Sequence, residues 1–159
     1  VTIRRAVPED TEELLRLRRT MFTALGPIPA APPDWEQACT KAFRDRLTTD
    51  PAFAAWVADT GTGRLLSCAI GTYAPRLPSP RSTAPHLGTV QAVVTDPAHR
   101  RKGHARACLT ALLHWLTTQN CSHVELRASD QGAKLYTALG FSQSGDALMT
   151  WRPTPPSER

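Results

Sequence analysis

The sequence contains no apolar run approaching the roughly 20 residues that would cross a bilayer, and it opens on a short alternating segment without a charged-then-apolar leader. The expectation is a cytoplasmic protein with no membrane partner. The four cysteines, Cys39, Cys68, Cys108 and Cys121, form no CxxC pair and match no zinc module. His104 and Cys108 stand one helical turn apart, but two ligands are too few for a structural site. No metal is therefore expected, and the thiols read as small, reduced and mostly buried. Internal repeats and breaks in composition are missing too. So are the GxxxxGK[ST] spacing of a Walker loop and the GxGxxG dinucleotide fingerprint.

What is present suits one globular domain. The 159 residues are 41% hydrophobic and 21% charged, the usage of a soluble fold with a core. The formal net charge is +5, and its placement is more telling than its size. A dense basic cluster stands at Arg100, Arg101, Lys102, His104 and Arg106, whereas elsewhere both signs mix, as in Glu12, Glu13, Arg16, Arg18 and Arg19. A nucleic-acid site would set stacking aromatics beside such charges. Trp115 falls further along, within an apolar helical face, so no nucleic-acid partner is expected.

Hydrophobic periodicity orders the chain. Residues 2–6 alternate as a strand. A helix from Asp10 to about Leu25 carries Leu14, Leu17, Met21, Phe22 and Leu25 at core spacing. The Pro-rich stretch 26–33 is a loop, and a second helix spans Asp34 to about Thr48 with Asp34 as its cap. Strands at Phe53–Ala58 and Leu65–Thr72 make a hairpin around the turn 59–63. A second Pro-rich loop at 75–85 precedes a strand at Leu87–Thr95. The helix after Gly103 runs to about Thr118, with Ala105, Cys108, Leu109, Leu112, Trp115 and Leu116 on one face. A strand at His123–Ala128 presents Val124, Leu126 and Ala128 to one side. Ser129 or Asp130 caps a last helix that Gly140 ends, and Phe141 to about Arg152 holds one or two final strands. The result is an α/β fold around one mixed sheet, a single domain over 1–152 with a flexible tail at 153–159.

The segment Arg100-Arg101-Lys102-Gly103-His104-Ala105 follows a strand and opens a helix. Basic side chains are unfavourable at that end of a helix, where the dipole is already positive. Their crowding makes local sense if an anion sits among them, held by the free N–H groups of the first turn. Gly103 allows close backbone approach and Ala105 keeps the next turn small. The alternative is a solvated basic turn before an ordinary helix.

Two motifs carry a resemblance to a known family. Val94-Thr95-Asp96-Pro97, then Arg100, Gly103 and Ala105, match the Arg/Gln-x-x-Gly-x-Gly/Ala pattern, and Leu135-Tyr136-Thr137-Ala138-Leu139-Gly140-Phe141 matches an aromatic helix running into Leu-Gly-Phe. In this order, over about residues 87–141, the chain resembles the GNAT superfamily of acetyl-CoA-dependent N-acetyltransferases. The resemblance implies a central twisted mixed sheet flanked by about four helices. It also implies acetyl-CoA splayed between the strands at 91–95 and 123–128. Backbone groups of Ala92, Val93 and Val94 would pair with the pantetheine arm, and Arg100, Arg101, Lys102, Gly103, His104 and Ala105 would surround the pyrophosphate. Ser129 stands where many relatives carry an Asn that holds pantetheine. Tyr136 would protonate the departing thiolate, against the alternative of a core aromatic, and the Val94 N–H would be an oxyanion donor if its strand bulges there.

No general base is evident. Many relatives carry a Glu on the strand before the motif, where His86–Gln91 has none, leaving His86, Asp34, Glu36 or ordered water. The acceptor expected is a primary amine of a small molecule, shaped by the Pro-rich stretches 26–33 and 75–85. A strongly cationic acceptor is disfavoured, because those stretches carry few acidic groups. A protein or peptide N-acetyltransferase and a non-catalytic acyl-CoA-binding domain are the alternatives. A homodimer, as in many relatives, stays open, and the Ala-, Arg- and Pro-rich usage suits a high-GC bacterium.

Overall fold

The computed structural model describes residues 1–153, so all but the first residue of the expected tail lies outside the described residues. Residues Val1–Arg127 form one compact unit, and a second begins at Ala128.

The first unit is built on a five-stranded sheet whose strands lie in chain order: β1 (Thr2–Arg5), β2 (Phe53–Asp59), β3 (Leu65–Pro75), β4 (His86–Thr95) and β5 (Cys121–Glu125). The first four strands pair antiparallel, and β4 and β5 pair parallel. The parallel step requires a crossover, which α3 (His104–Thr118) supplies. Helices α1 (Thr11–Ala24) and α2 (Trp35–Thr49) lie between β1 and β2 in the chain. The mixed sheet is as expected.

Two apolar layers hold the sheet. Leu14 and Leu17 of α1 and Phe43 of α2 pack with Phe53, Ala55, Val57, Ile70, Ala92 and Val94. Five residues of α3, Cys108, Leu109, Leu112, Trp115 and Leu116, are buried, the face predicted from its periodicity. Burial raises the thiol pKa of both Cys68 and Cys108 to about 12, with neighbouring Cys108 adding to the effect at Cys68, so both stay neutral and act as small apolar side chains.

Polar ties fix the ends of these elements. Arg4 on β1 donates twice to Asp10 ahead of α1 and once to Asp59 on β2, each at 2.8 Å. Behind β4, Asp96 accepts from Arg16 at 3.0 Å, Arg64 at 2.9 Å and the Ala98 N–H at 3.2 Å. Burial works against the Asp96 charge, but the Ala98 N–H and the two arginines hold its carboxyl below the ordinary aspartate value. This anchor sets the direction in which the chain leaves β4 toward the basic segment.

Several local expectations need correction. Asp34 precedes α2 but gives no side-chain cap; its carbonyl accepts from the Ala38 N–H instead, at 3.0 Å. Leu25 is 71% exposed, because the helix ends at Ala24 before its periodicity is used up. Strand β5 runs from Cys121 to Glu125 and not over His123–Ala128; Val124 and Leu126 are half-buried and His123, Glu125 and Arg127 exposed, but Ala128, expected on the inward side, is exposed.

In the second unit, α4 (Ala133–Ala138) begins beyond Ser129. Ser129 shapes the preceding turn, its Oγ accepting from the Gly132 N–H at 3.3 Å. Gly140 follows the helix with φ +95°, as expected of a glycine in that place. The predicted final strands are absent from 141–153. Ser142, Ser144 and Gly145 interrupt the apolar pattern, and Leu148, Met149 and Trp151 beyond them are exposed.

Candidate active site

Strand β4 is irregular where chemistry was expected. Ile70 pairs with Ala92 but the next residue, Gly71, pairs with Val90, leaving Gln91 as the extra residue of a bulge. On its other side β4 pairs with β5 only from His86 to Thr89. From Val90 onward, this edge of β4 has no partner strand among the described residues, and its outward backbone groups are free of the ladder.

The alternation of the antiparallel ladder shows which groups these are. The Asp96 N–H donates to the Leu66 carbonyl at 2.8 Å, so two residues back the Val94 N–H turns toward Cys68, its register partner on β3. The Val94 carbonyl faces β3 as well, accepting from Ser67 Oγ at 2.8 Å. The Val94 N–H therefore faces β3 and not the open edge. The bulge lies at Gln91, and the backbone N–H groups of Val93 and Thr95 are the ones turned to the open edge.

A pocket of about 970 Å³ opens on the α1–α2 side of the sheet and reaches β4 at Gln91. Its apolar walls are Phe22, Trp35, Phe43, Phe53 and Ile70, and residues of the 26–33 loop complete the rim. Phe22 and Trp35 meet edge to face at 5.6 Å between ring centroids. The other Pro-rich stretch, 75–85, does not line the pocket. It folds on itself beyond β3, with the Arg76 N–H donating to the Pro85 carbonyl at 2.8 Å and Ser79 bridging Ser82.

Charge in the pocket comes mainly from arginine. Among the described residues Arg18, Arg19 and Arg46 line it, against the single carboxylate of Glu36, and Arg19 is paired with that carboxylate. Of these residues, Glu36 alone was singled out from sequence as part of the site. Phe22 was assigned to the core from its helical spacing, and Arg18 was read as part of a mixed surface. The signal was the i, i+4 spacing of Arg18 and Phe22, which puts the guanidinium 5.0 Å from the ring centre.

The basic segment has the geometry of an anion cradle. Arg101 and Gly103 take left-handed backbone angles, φ +61° and +84°, and no side chain caps α3. The Ala107 N–H is satisfied by the Gly103 carbonyl at 3.0 Å, whereas the N–H groups of the turn before it are open to a ligand. Arg100, Arg101, Lys102 and Arg106 are exposed around that end, and His104 and Ala105 are half-buried. Uncapped donors, glycine at the entry and concentrated positive charge fit a pyrophosphate.

In the second unit, Tyr136 packs edge to face on Phe141 with centroids 5.9 Å apart. Burial raises its phenol above the ordinary tyrosine value, which keeps it protonated and able to donate. Ser129 is exposed in the turn before α4.

The candidate bases fare unequally. His86 is the first residue of β4, ahead of the bulge, its ring tilted against Tyr73 with centroids 4.7 Å apart and its Nδ1 2.6 Å from the Gln119 carbonyl. Neither it nor Asp34 lines the pocket, and only Glu36 does.

The family model described as the Acetyltransferase (GNAT) family matches residues 12–141. The chain belongs to the GNAT family of acetyltransferases. Among solved structures it is similar to a predicted acetyltransferase from Clostridium acetobutylicum crystallised with acetyl-CoA, with a TM-score of 0.81 at 21% identity over 94% of each chain. It is also similar to an aminoglycoside N-acetyltransferase in complex with CoA, with a TM-score of 0.73 at 19% identity over 96% of this chain and 93% of the other. A third is a ribosomal-protein-alanine N-acetyltransferase from Brucella melitensis, with a TM-score of 0.69 at 22% identity over 96% and 100%. These likenesses establish the fold, and the acceptors named differ in kind. No curated protein matches. Among the described residues no helix is long and apolar enough to cross a membrane.

Proposed function

We propose that this GNAT acetyltransferase moves the acetyl group of acetyl-CoA to a primary amine of a small molecule by direct attack, as one domain that spans both compact units. The observation that carries the reading is the conjunction at β4. The apolar pocket reaches the strand at Gln91, and the same strand presents an unpaired edge from Val90 onward.

The chain's own groups divide the work. Outward N–H groups of Val93 and Thr95 on β4 receive the pantetheine arm as an added strand would be received, with the neighbouring Ala92 and Val94 fixing the strand against β3. The first-turn N–H groups of α3, with Arg100, Arg101 and Lys102 around them, hold the pyrophosphate. When bound, acetyl-CoA supplies an activated acyl thioester. Tyr136 donates its phenolic proton to the leaving sulfur, and Ser129 has the hydroxyl to reach the donor's amide chain. The pocket orients the amine.

The pocket volume favours a small acceptor over a protein. At about 970 Å³ it falls within the range of ligand cavities, and its aromatic walls and proline rim give it a preformed apolar shape. Calorimetric titration with acetyl-CoA, followed by thiol release with an amine panel, tests the reading. Saturable binding near one per chain with amine-dependent thiol release is expected. No binding at high micromolar acetyl-CoA would overturn it.

A further inference from the structure

The pocket also carries information about its acceptor. Arg18 on α1 and Arg46 on α2 both line it, and neither has a carboxylate within 4 Å among the described residues. Each lies over an aromatic wall: Arg18 5.0 Å from the Phe22 ring centre and Arg46 5.7 Å from that of Phe53. The third arginine, Arg19, is occupied by Glu36. An ammonium-rich acceptor would therefore enter a pocket with two unneutralised guanidinium groups and one carboxylate already engaged. Like charge in a partly desolvated site costs affinity and selects against such a ligand.

Stacking on a ring holds a guanidinium plane in place and leaves its N–H edge free to donate. Arg18 is half-buried, so an anion meeting it there gains more than it would at an exposed charge. A single negative charge suits this better than a doubly charged phosphate, whose desolvation would be larger. Cys39 beside Arg18 adds no competing charge. Burial raises its thiol pKa, and Arg18 only partly offsets the effect.

We infer that the acceptor is an amine bearing a carboxylate and an aromatic or branched apolar body, an amino-acid-like compound, with Arg18 and Arg46 reading the carboxylate and Phe22, Trp35, Phe43 and Phe53 enclosing the body. The inference rests on the acetyltransferase reading above, and it makes Arg18 and Arg46 specificity-determining residues.

Matched amines separate the two. Phenylalanine and phenethylamine differ only by the carboxylate, and thiol release with acetyl-CoA gives kcat/KM for each. Binding of each amine to the protein saturated with desulfo-CoA, followed by calorimetry, gives affinity without turnover. The expected result is a preference for phenylalanine of at least about tenfold in KM or Kd. In Arg18→Met it should fall to near unity with acetyl-CoA affinity retained, and Arg46→Gln, at an exposed position, should reduce it while leaving the fold unchanged. Equal or better use of phenethylamine, a preference untouched by both substitutions, or binding of neither amine beside intact desulfo-CoA binding would overturn the inference and leave the acetyltransferase reading standing. Loss of acetyl-CoA binding in the unmodified protein would overturn the reading itself.

Discussion

Arg16 on α1 and Asp96 behind β4 meet at 3.0 Å although they are 80 residues apart. Arg64 reaches the same carboxylate oxygen at 2.9 Å, and Glu13 accepts from Arg16 and from the Leu65 N–H. The cluster pins α1, β3 and the exit of β4 together, and with them the approach to the α3 cradle. Asp96→Asn keeps an acceptor for the Ala98 N–H but loses both ionic partners. Because Arg64 is half exposed, the expected loss is modest, about 1–2 kcal/mol by urea unfolding.

The same carboxylates contribute to the acid sensitivity of the fold. At both Asp96 and Glu13 burial opposes the charge. Ala98, Arg64 and Arg16 hold Asp96 below its ordinary 3.8, and Arg16 and the Leu65 N–H hold Glu13 below 4.5. A folded pKa below the unfolded one means that the unfolded chain binds protons first as pH falls. Stability is thus complete above those ordinary values and is lost as pH drops through the lower folded ones. Unfolding free energy measured from pH 6 downward should fall below pH 4–5, and Asp96→Asn should flatten that fall. An unchanged slope in the variant would mean that Asp96 is not linked to folding.

The cradle gives a sharper result. Gly103 has φ +84° and open space where a side chain would stand, so its requirement is conformational. Gly103→Ala should cost about 1 kcal/mol of stability and weaken acetyl-CoA binding by redirecting the first-turn N–H groups. Gly103→Glu should abolish binding by adding a negative charge at the anion site. Calorimetry on both variants checks this, and tight binding by Gly103→Glu would place the pyrophosphate elsewhere.

Sequence and structure diverge for identifiable reasons. The α3 face was legible because burial of Cys108, Leu109, Leu112, Trp115 and Leu116 follows a helical period without interruption. The cradle was legible because three basic residues before Gly103 contradict the helix dipole unless an anion is present. The bulge at Gln91 was not legible, since a bulge is a mismatch between two strands and one strand's pattern does not contain its partner's. The acceptor pocket was hidden for a related reason. Phe22 has the spacing of a core residue, and only the packing of α1 against α2 shows that it faces a cavity.

Tyr136 sits against Gly132 closely enough to be tested sterically. A Cβ at Gly132 would stand 2.6 Å from Tyr136 Cε2, while Gly132 itself has φ −86°, so Gly132→Ala displaces the ring without straining the backbone. Tyr136→Phe should lower kcat by roughly 100-fold or more with acetyl-CoA affinity nearly unchanged. Gly132→Ala should lower kcat in the same direction with the hydroxyl still present. Burial keeps the phenol protonated beyond its ordinary 10.0, so activity of the unmodified enzyme should persist up to that pH. Unchanged kcat in Tyr136→Phe would remove the residue from the chemistry.

Gln91 is the point at which acid–base behaviour can be read. It is exposed at the β4 bulge and lines the pocket, and its amide cannot take the proton that the amine must shed. Glu36, the one carboxylate lining the pocket among the described residues, is held by Arg19. With no unpaired carboxylate lining the pocket among the described residues, the expectation is that the amine arrives neutral, so kcat/KM should rise with pH and its midpoint should follow the acceptor's own pKa from one amine to another. Gln91→Glu puts a carboxylate at the bulge. With an acceptor lacking a carboxylate, such as phenethylamine, it should raise kcat/KM at neutral pH and move the rising limb to lower pH, because the proton then has an acceptor at the site. A limb in the unmodified enzyme that ignores the amine's pKa would instead identify a base of the protein's own, and Glu36→Gln would be the next variant to carry through the same profile.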